Sequence, residues 1–272
     1  MKVLVLGATG FIGFPAAQAL ARAGHMVYGM ARTQAKAKIL AAEEIIPVLG
    51  DVGSDAWMSL IATLDVILDT VGGPDQASLA RTTFERATKA ATELRPAGAP
   101  LLSYIYTSGT WVHGDSRTEI ATDTTPIGRP VELVAWRPAI EQLVVRSTAV
   151  NGIVVRPALL YGRSASILAP LFKAASQGRV VWPGTPGGRY SMIHADDLAD
   201  LYVRVAEKAS LLGGKIFDAA NANTESVDDL LQKLVQISGA KAPYEYRKPE
   251  NCAWICLYTP RSPDAEEIQH SV

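Results

Sequence analysis

Seven residues near the start of the chain constrain it most: Gly7-Ala8-Thr9-Gly10-Phe11-Ile12-Gly13. They follow the apolar run Val3-Leu4-Val5-Leu6 and precede the alanine-rich stretch from Ala16 to Ala23. The order reads as strand, tight glycine turn and helix. Gly7 ends the strand in a conformation that a β-carbon resists, Gly10 lets a phosphate come close to the backbone, and Gly13 lets the helix lie near the sheet. Free N–H groups at a helix start, with the positive end of its dipole, suit a pyrophosphate. Gly7, Thr9, Gly10, Phe11, Ile12 and Gly13 are therefore the expected binding residues. The familiar form of such a turn is G-x-G-x-x-G, whereas the spacing here is G-x-x-G-x-x-G; a purely structural glycine turn is the competing explanation.

The chain has 272 residues, enough for one large α/β domain or one domain with a small lobe. Its net charge of −1 advertises neither a nucleic-acid partner nor acidic disorder, so a small-molecule substrate is the expected ligand. Cys252 and Cys256 cannot build a disulfide framework. His25, His113, His194 and His270 lack zinc-ligand spacing, and no metal is expected. No apolar stretch reaches membrane-spanning length and the first residues read as a strand rather than a signal segment, so the expectation is a cytoplasmic protein without a membrane partner.

Apolar runs recur with helical stretches between them: Val3–Leu6, Met26–Met30, Ile45–Leu49, Val66–Leu68, Leu101–Tyr106 and Ile153–Val155. They do not alternate with polar residues, which is the mark of strands buried on both faces of a parallel sheet. The predicted fold is α/β, a doubly wound parallel sheet (Rossmann fold) of six such strands with a small C-terminal substrate lobe. Residues 1–162 form the expected dinucleotide-binding core, to which 196–235 return; 163–195 and 240–272 form the lobe. The first helix should stop near Gly24, Lys215–Asp218 reads as an edge strand, and Ser226 with Asp228 and Asp229 reads as a helix N-cap.

The stretch GATGFIG resembles the extended short-chain dehydrogenase/reductase superfamily, and further segments carry the same resemblance. Strand two ends at Ala31-Arg32-Thr33, where a dinucleotide fold reads the adenosine ribose. An Asp or Glu there accepts from the ribose hydroxyls in NAD-specific chains, whereas an arginine can pair with a 2′-phosphate. Arg32, with Lys36 and Lys38 nearby, favours NADP over NAD; a solvated loop arginine is the other explanation. Gly50-Asp51-Val52 after strand three matches the Asp-hydrophobic pair with which the superfamily cups adenine, although Asp51 also suits the cap of a helix predicted over Ser54–Ala62. Strand four ends at Asp69-Thr70-Val71-Gly72-Gly73, where the resemblance implies a small-residue turn under the cofactor ribose, with Val71 and Gly72 as contacts. Gly72-Gly73-Pro74 is equally readable as an ordinary loop. A helix is predicted from about Asp75 to Leu94.

The superfamily's catalytic pattern is broken in this chain. Strand five leads into Thr107-Ser108-Gly109-Thr110-Trp111-Val112-His113-Gly114, similar to a segment that ends in Val-Tyr-Gly, with Thr107 beside the cofactor. The usual hydroxyl position falls on Gly109, flanked by Ser108 and Thr110. In the next helix, predicted over Pro130–Val150, the expected Tyr-x-x-x-Lys is absent and there is no tyrosine at all. One register puts Arg137 at the Lys position and Leu133 at the Tyr position. Arg137 then binds ribose hydroxyls but cannot titrate near neutrality. Another register sets Trp136 at the Tyr position and Ile140 at the Lys position, and a surface Arg137–Glu141 ion pair is the alternative without a ligand.

Val154-Val155-Arg156-Pro157-Ala158-Leu159-Leu160-Tyr161-Gly162 resembles the segment that lines the superfamily's nicotinamide and substrate pocket. The resemblance implies Pro157, Ala158 and Leu160 at the nicotinamide and a hydrogen-bonding structural role for Arg156. Tyr161 falls at a carboxyl strand end. Arg189-Tyr190-Ser191-Met192-Ile193-His194-Ala195-Asp196-Asp197-Leu198 is similar to an Ile-His-x-x-Asp-Leu segment in which the Asp buttresses the next helix and the His packs. In the tail, Cys252, Trp254, Cys256 and Tyr258 read as packing or oligomer contact.

Taken with the resemblance, these features imply an atypical, epimerase-like or NmrA-like member that binds NADP, or NAD. It would act as an oxidoreductase or epimerase-like enzyme on a small carbonyl, hydroxyl or sugar-derived substrate. Ser108, Tyr161 or a water would supply the proton, with Arg137 at the ribose. The alternative is a non-catalytic, NADP-responsive regulator of the NmrA-like kind. A homodimer through the helices near 75–94 and 130–150 fits the apolar face of Trp136, Ile140, Leu143 and Val144, which burial on the chain's own sheet explains equally well.

Overall fold

The structure, a computed structural model, describes residues 1–73, 75–114, 121–163, 166–240 and 243–247. In chain order its elements are β1 (Lys2–Leu6), α1 (Gly13–Arg22), β2 (Met26–Ala31), α2 (Gln34–Ala42), β3 (Ile46–Leu49), β4 (Val66–Asp69), α3 (Gln76–Leu94), β5 (Ser103–Thr107), α4 (Arg137–Val145), β6 (Asn151–Pro157), β7 (Leu159–Tyr161), α5 (Ala169–Ser176), β8 (Val181–Pro183), β9 (Arg189–His194), α6 (Ala195–Glu207), β10 (Ile216–Ala219), β11 (Thr224–Ser226), α7 (Val227–Ser238) and β12 (Glu245–Arg247). Two compact units result. The first takes in Met1–Ser108, Arg137–Arg156 and Ala195–Phe217; the second takes in Gly109–Trp136, Pro157–His194 and, as far as it is described, Asp218–Val272.

The first unit is built on a seven-stranded sheet in the order β10-β6-β5-β4-β1-β2-β3. The pairs from β3 across to β6 are all parallel, with Leu4 opposite both Tyr28 and Ile67, and Leu68 opposite Ile105. Strands are laid outward from β1 to β3 on one side and from β4 to β6 on the other, so the order reverses between β1 and β4. Unalternated apolar runs are what such strands need: Val3, Leu4, Val5, Leu6, Val66, Ile67 and Leu68 are all 2% exposed or less. The predicted edge strand does take an edge, as β10 beside β6. Helix α1 stops at Arg22, and Gly24 just beyond it has φ +83°, the left-handed turn that ends a helix cheaply only at glycine.

Two predicted helices are shorter than expected. The one over Pro130–Val150 is not continuous: a 3₁₀ turn at Glu132–Val134 is followed by α4, which covers only Arg137–Val145. Pro138 accounts for the break, because it has no N–H to continue a helix from Val134 while its fixed φ suits the first turn of a new one. The helix over Ser54–Ala62 shrinks to a 3₁₀ turn at Met58–Ala62. Ser54 donates both its N–H, at 2.9 Å, and its hydroxyl, at 2.6 Å, to the Asp51 carbonyl, closing a tight turn where the helix would have begun.

The second unit contains a three-stranded sheet, β11-β9-β7, and a pair, β12-β8. Strand β9 runs antiparallel to β11 and parallel to β7, with His194 opposite Tyr161. Leu159, Leu171, Trp182, Met192, Val227 and Leu231 belong to its core. Helix α7 begins as its sequence asks, Ser226 accepting the Asp229 N–H at 3.2 Å, and closes at Gly239 with φ +67°. The predicted apolar group of Cys252, Trp254, Cys256 and Tyr258 lies outside the described residues. Among the described residues no helix is long and apolar enough to cross a membrane.

Candidate functional site

At the reversal of strand order the residues that follow the first four strands line one cleft of about 410 Å³. From β1 come Gly7, Thr9, Gly10, Phe11 and Ile12. From β2 and the start of α2 come Met30, Arg32 and Lys36; from β3, Gly50, Asp51 and Val52; from β4 and α3, Thr70, Val71, Gly72 and Leu79. Open α/β sheets take ligands at such a point, beyond the carboxyl ends of the strands.

The glycine turn is as tight as its sequence demands. Gly7 accepts the Gly10 N–H at 2.8 Å and has φ +79°; a Cβ built on it would lie 2.7 Å from the Thr70 carbonyl oxygen. A Cβ on Gly13 would lie 2.3 Å from the Gly7 carbonyl oxygen and 2.5 Å from the Thr70 hydroxyl. Thr70 can sit there because its N–H and its hydroxyl both donate to Leu6, at 3.0 and 2.7 Å, tying β4 to β1. Among the described residues no group accepts the N–H of Phe11 or Ile12, and the first turn of α1 holds no acidic residue to offset its dipole. Bare amides at the start of a helix suit a diphosphate.

Beyond this turn the cleft is cationic at one end. Arg32 is exposed, Lys36 is half-buried, and Thr33 caps α2 by accepting the Lys36 N–H at 3.3 Å. Among the described residues Asp51 is the one acidic side chain in the lining. Rather than capping a helix, its Oδ1 accepts the Gly53 N–H at 2.9 Å. Val52 is buried beside it.

Beneath the cleft the tips of β4, β5 and β6 carry buried polar groups. Asp69 accepts the Tyr104 hydroxyl at 2.6 Å and the Val71 N–H at 3.0 Å, which fixes the backbone of Val71 and Gly72. Burial raises the Asp69 pKa above the usual carboxylate range, opposed by these two hydrogen bonds and by the charge of Arg137. Tyr104, Tyr106 and Tyr202 are all pushed above the ordinary phenol range, chiefly by burial, so they act as neutral hydrogen-bonding groups. Tyr202 meets Thr107, hydroxyl to hydroxyl, at 2.8 Å.

Arg137 and Glu141 are not a surface pair. Arg137 is 9% exposed and donates to the Thr107 carbonyl at 3.1 Å and, more weakly, to the Tyr106 hydroxyl at 3.5 Å. Glu141 is fully buried; its carboxylate takes both Nε and an Nη of Arg156, at 3.0 and 2.6 Å. It also takes the hydroxyl of Ser108, at 2.5 Å. The predicted catalytic hydroxyl is thus committed to a buried carboxylate. Arg156 does hold structure by hydrogen bonding.

The remaining predicted residues lie in the second unit. Ala158 is buried, its N–H donating to Ala219 at 2.8 Å, while Leu160 and Tyr161 are half-buried; Pro157 closes β6. The Tyr161 ring meets His194 edge-on, with centroids 5.1 Å apart, and its hydroxyl accepts from Asn221 at 3.5 Å. A Cβ on Gly162 would lie 2.1 Å from His194 Nε2, so His194 packs on bare backbone. Arg189 is occupied by Thr224, donating to its hydroxyl at 2.8 Å and its carbonyl at 2.6 Å. His113 meets Asp218 at 2.8 Å in a buried pair that the sequence did not suggest.

Met30 and Leu79 also escaped the sequence reading. Met30 could have been found, since it stands two residues before Arg32 and strand side chains repeat every second residue. Leu79 carried no such signal, because only the helix orientation brings its first turn to the cleft.

A family model described as the NAD dependent epimerase/dehydratase family matches residues 3–220. No curated protein sequence matches the chain. Similar solved structures include dTDP-glucose 4,6-dehydratase from Bacillus anthracis str. Ames in complex with NAD, at 13% identity and a TM-score of 0.79, covering 96% of this chain and 88% of that one. UDP-glucuronic acid 4-epimerase from Bacillus cereus, in complex with UDP-glucuronic acid and NAD, is similar at 19% identity and a TM-score of 0.74, over 96% and 90% of the two chains. UDP-glucose 4-epimerase from Thermotoga maritima with UDP-glucose is similar at 17% identity and a TM-score of 0.74, again over 96% and 90%. At these identities the likeness is one of fold.

Proposed function

Because this chain belongs to the NAD dependent epimerase/dehydratase family, we propose that it binds NADP(H) in the cleft of the first unit. We further propose that it works as an atypical oxidoreductase or epimerase-like enzyme on a small carbonyl, hydroxyl or sugar-derived substrate. One observation carries this reading: the glycine turn, Arg32 with Lys36, Asp51 with Val52, and Val71 with Gly72 all line a single cleft at the point where strand order reverses.

In this reading the amides of Phe11 and Ile12 hold the diphosphate, Arg32 and Lys36 hold a 2′-phosphate, Asp51 accepts the adenine amine beside Val52, and Val71 and Gly72 lie under a ribose. The preference for NADP over NAD rests on two cations, and no acid, at the β2 end of the lining. When bound, the nicotinamide supplies or accepts a hydride. Arg137, held by the Thr107 carbonyl, offers fixed positive charge to ribose hydroxyls but no titrating proton. With Ser108 committed to Glu141, Tyr161 or a water is the proposed proton source. The test is NADPH oxidation against a panel of aldehydes, ketones and nucleotide sugars, with the reverse reaction on alcohols. Turnover that falls roughly 10²–10⁴-fold in Tyr161→Phe supports the assignment; no turnover anywhere in the panel removes the enzymatic part of it.

The same commitment of Ser108, together with the missing Tyr-x-x-x-Lys, favours one second reading: an NADP-responsive binding protein without turnover. Its mark is a partner whose capture changes when NADP is added; capture indifferent to NADP counts against it.

A further inference from the structure

The loop that carries Asp51 and Val52 into the cleft is pinned along its length. Upstream, the Gly50 N–H donates to Ala31 of β2 at 2.9 Å. Downstream, the fully buried Trp57 donates its indole N–H to the Val52 carbonyl at 3.1 Å. The middle is closed on itself through the Asp51 carbonyl, which takes both the N–H and the hydroxyl of Ser54. One side chain from elsewhere in the unit grips this middle: Arg86 of α3 donates to the Ser54 carbonyl at 2.9 Å and to Asp55 Oδ1 at 2.6 Å.

Arg86 stands seven residues after Leu79, which lines the cleft. Seven residues are close to two helical turns, so one face of α3 contributes to the cleft wall at one level and reaches the adjoining loop about 10 Å further along. The Asp55 carboxylate is exposed, so the ion pair itself holds little. The part-buried bond to the Ser54 carbonyl is different, because it fixes backbone, and the Ser54 N–H and hydroxyl in turn fix the Asp51 carbonyl. Asp51 lines the cleft and spends Oδ1 on the Gly53 N–H, so Oδ2 is the oxygen left to accept from a ligand. A shift of the loop would move that oxygen with it.

We propose that Arg86 is a positioning residue for the adenine end of the dinucleotide: through Ser54 it sets where the Asp51 carboxylate and the Val52 side chain stand. The inference rests on the NADP(H) reading above. It adds that discrimination for the adenine half depends on a helix that does not itself carry the phosphate turn.

Calorimetric titration of the full chain with NADPH and with 2′,5′-ADP, which is the adenine half alone, tests it. Arg86→Gln is expected to weaken both ligands by the same factor, about tenfold, as follows from loss of one charge-assisted hydrogen bond acting at one remove. At saturation, NADPH bound to the variant should keep its wild-type nicotinamide emission, and Arg86→Lys, which keeps a donor, should recover most of the affinity. Arg81→Gln, five residues earlier on the same helix and paired on the surface with Glu85, should leave both ligands unaffected. Unchanged affinity in Arg86→Gln, or a shifted nicotinamide emission marking general damage to the cleft, overturns the proposal. If Arg86→Gln does not fold, Arg86→Met, which also lacks the charged donor, carries the test: an equal loss for both ligands supports the proposal and no loss overturns it. A wild-type chain that takes up neither ligand overturns the NADP(H) reading itself, and this inference with it.

Discussion

Gly13 and Gly7 approach so closely that a β-carbon on the first would lie 2.3 Å from the carbonyl oxygen of the second. Helix α1 can start beside the end of β1 only while that space stays empty. Gly13→Ala is therefore expected to cost about 1–3 kcal/mol of stability through overpacking, and to weaken NADPH binding because the amides of the turn must move. Gly72→Ala is the contrast: its Cβ would meet nothing within 4 Å, so it should keep wild-type stability while placing a methyl group in the cleft lining. Urea melts beside NADPH titrations check both, and equal stability of the two variants would contradict the packing argument.

Arg32→Ala and Lys36→Ala separate the two nicotinamide dinucleotides. Each substitution should weaken NADPH about tenfold, the lower end of what a charge-assisted hydrogen bond contributes once its exposure is allowed for, and should leave NADH almost unchanged. Parallel titrations of both cofactors read the outcome. Equal losses for NADPH and NADH would place the 2′-phosphate elsewhere.

Glu141 and Arg156 form a buried pair that also holds Ser108. Glu141→Gln takes from the buried Arg156 guanidinium and the Ser108 hydroxyl the carboxylate that both bond, and is expected to cost about 3–5 kcal/mol. A double replacement, Glu141→Leu with Arg156→Met, should recover part of that loss, since the pair is then removed from both sides. Chemical denaturation of the single and double variants tests this, and a double variant less stable than the single would contradict it.

Asp69 gives stability a dependence on acid. Burial raises its pKa in the fold above the ordinary aspartate value of 3.8, so between these two values the folded state binds its proton more tightly than the unfolded chain does. The contribution is fully present below 3.8 and is lost as pH rises through the raised value. The stability of the wild-type chain relative to Asp69→Asn should therefore increase as the pH falls from neutrality through that window. Denaturation of both proteins across mildly acid pH measures it; a relative stability that falls with acid would have the wrong sign.

The strand tips were legible in the sequence because each buried parallel strand is an unbroken apolar run, and the run ends where small or polar residues begin. The runs mark where Gly7, Arg32, Asp51 and Val71 fall, at the ends of the first four strands, and the family resemblance supplies the role expected of each. The interruption at Pro138 is equally visible, but the resemblance implies one continuous helix there and carries no information on a break. Glu141 and Arg156 were less accessible. Their side chains meet only when α4 crosses the tip of β6, and no periodicity in either element encodes that crossing. Arg86 was hidden for the same reason, since an arginine on a helix surface reads as solvated until the loop it reaches is placed.

Calorimetric titration of the folded, full-length chain with NADPH and with NADH is the most direct test of the central claim, that the bare amides of the first turn hold a dinucleotide diphosphate. The account predicts saturable binding of both, tighter for NADPH, and a marked loss of both in Gly13→Ala. Binding of neither, by a chain whose melt shows it to be folded, would contradict it.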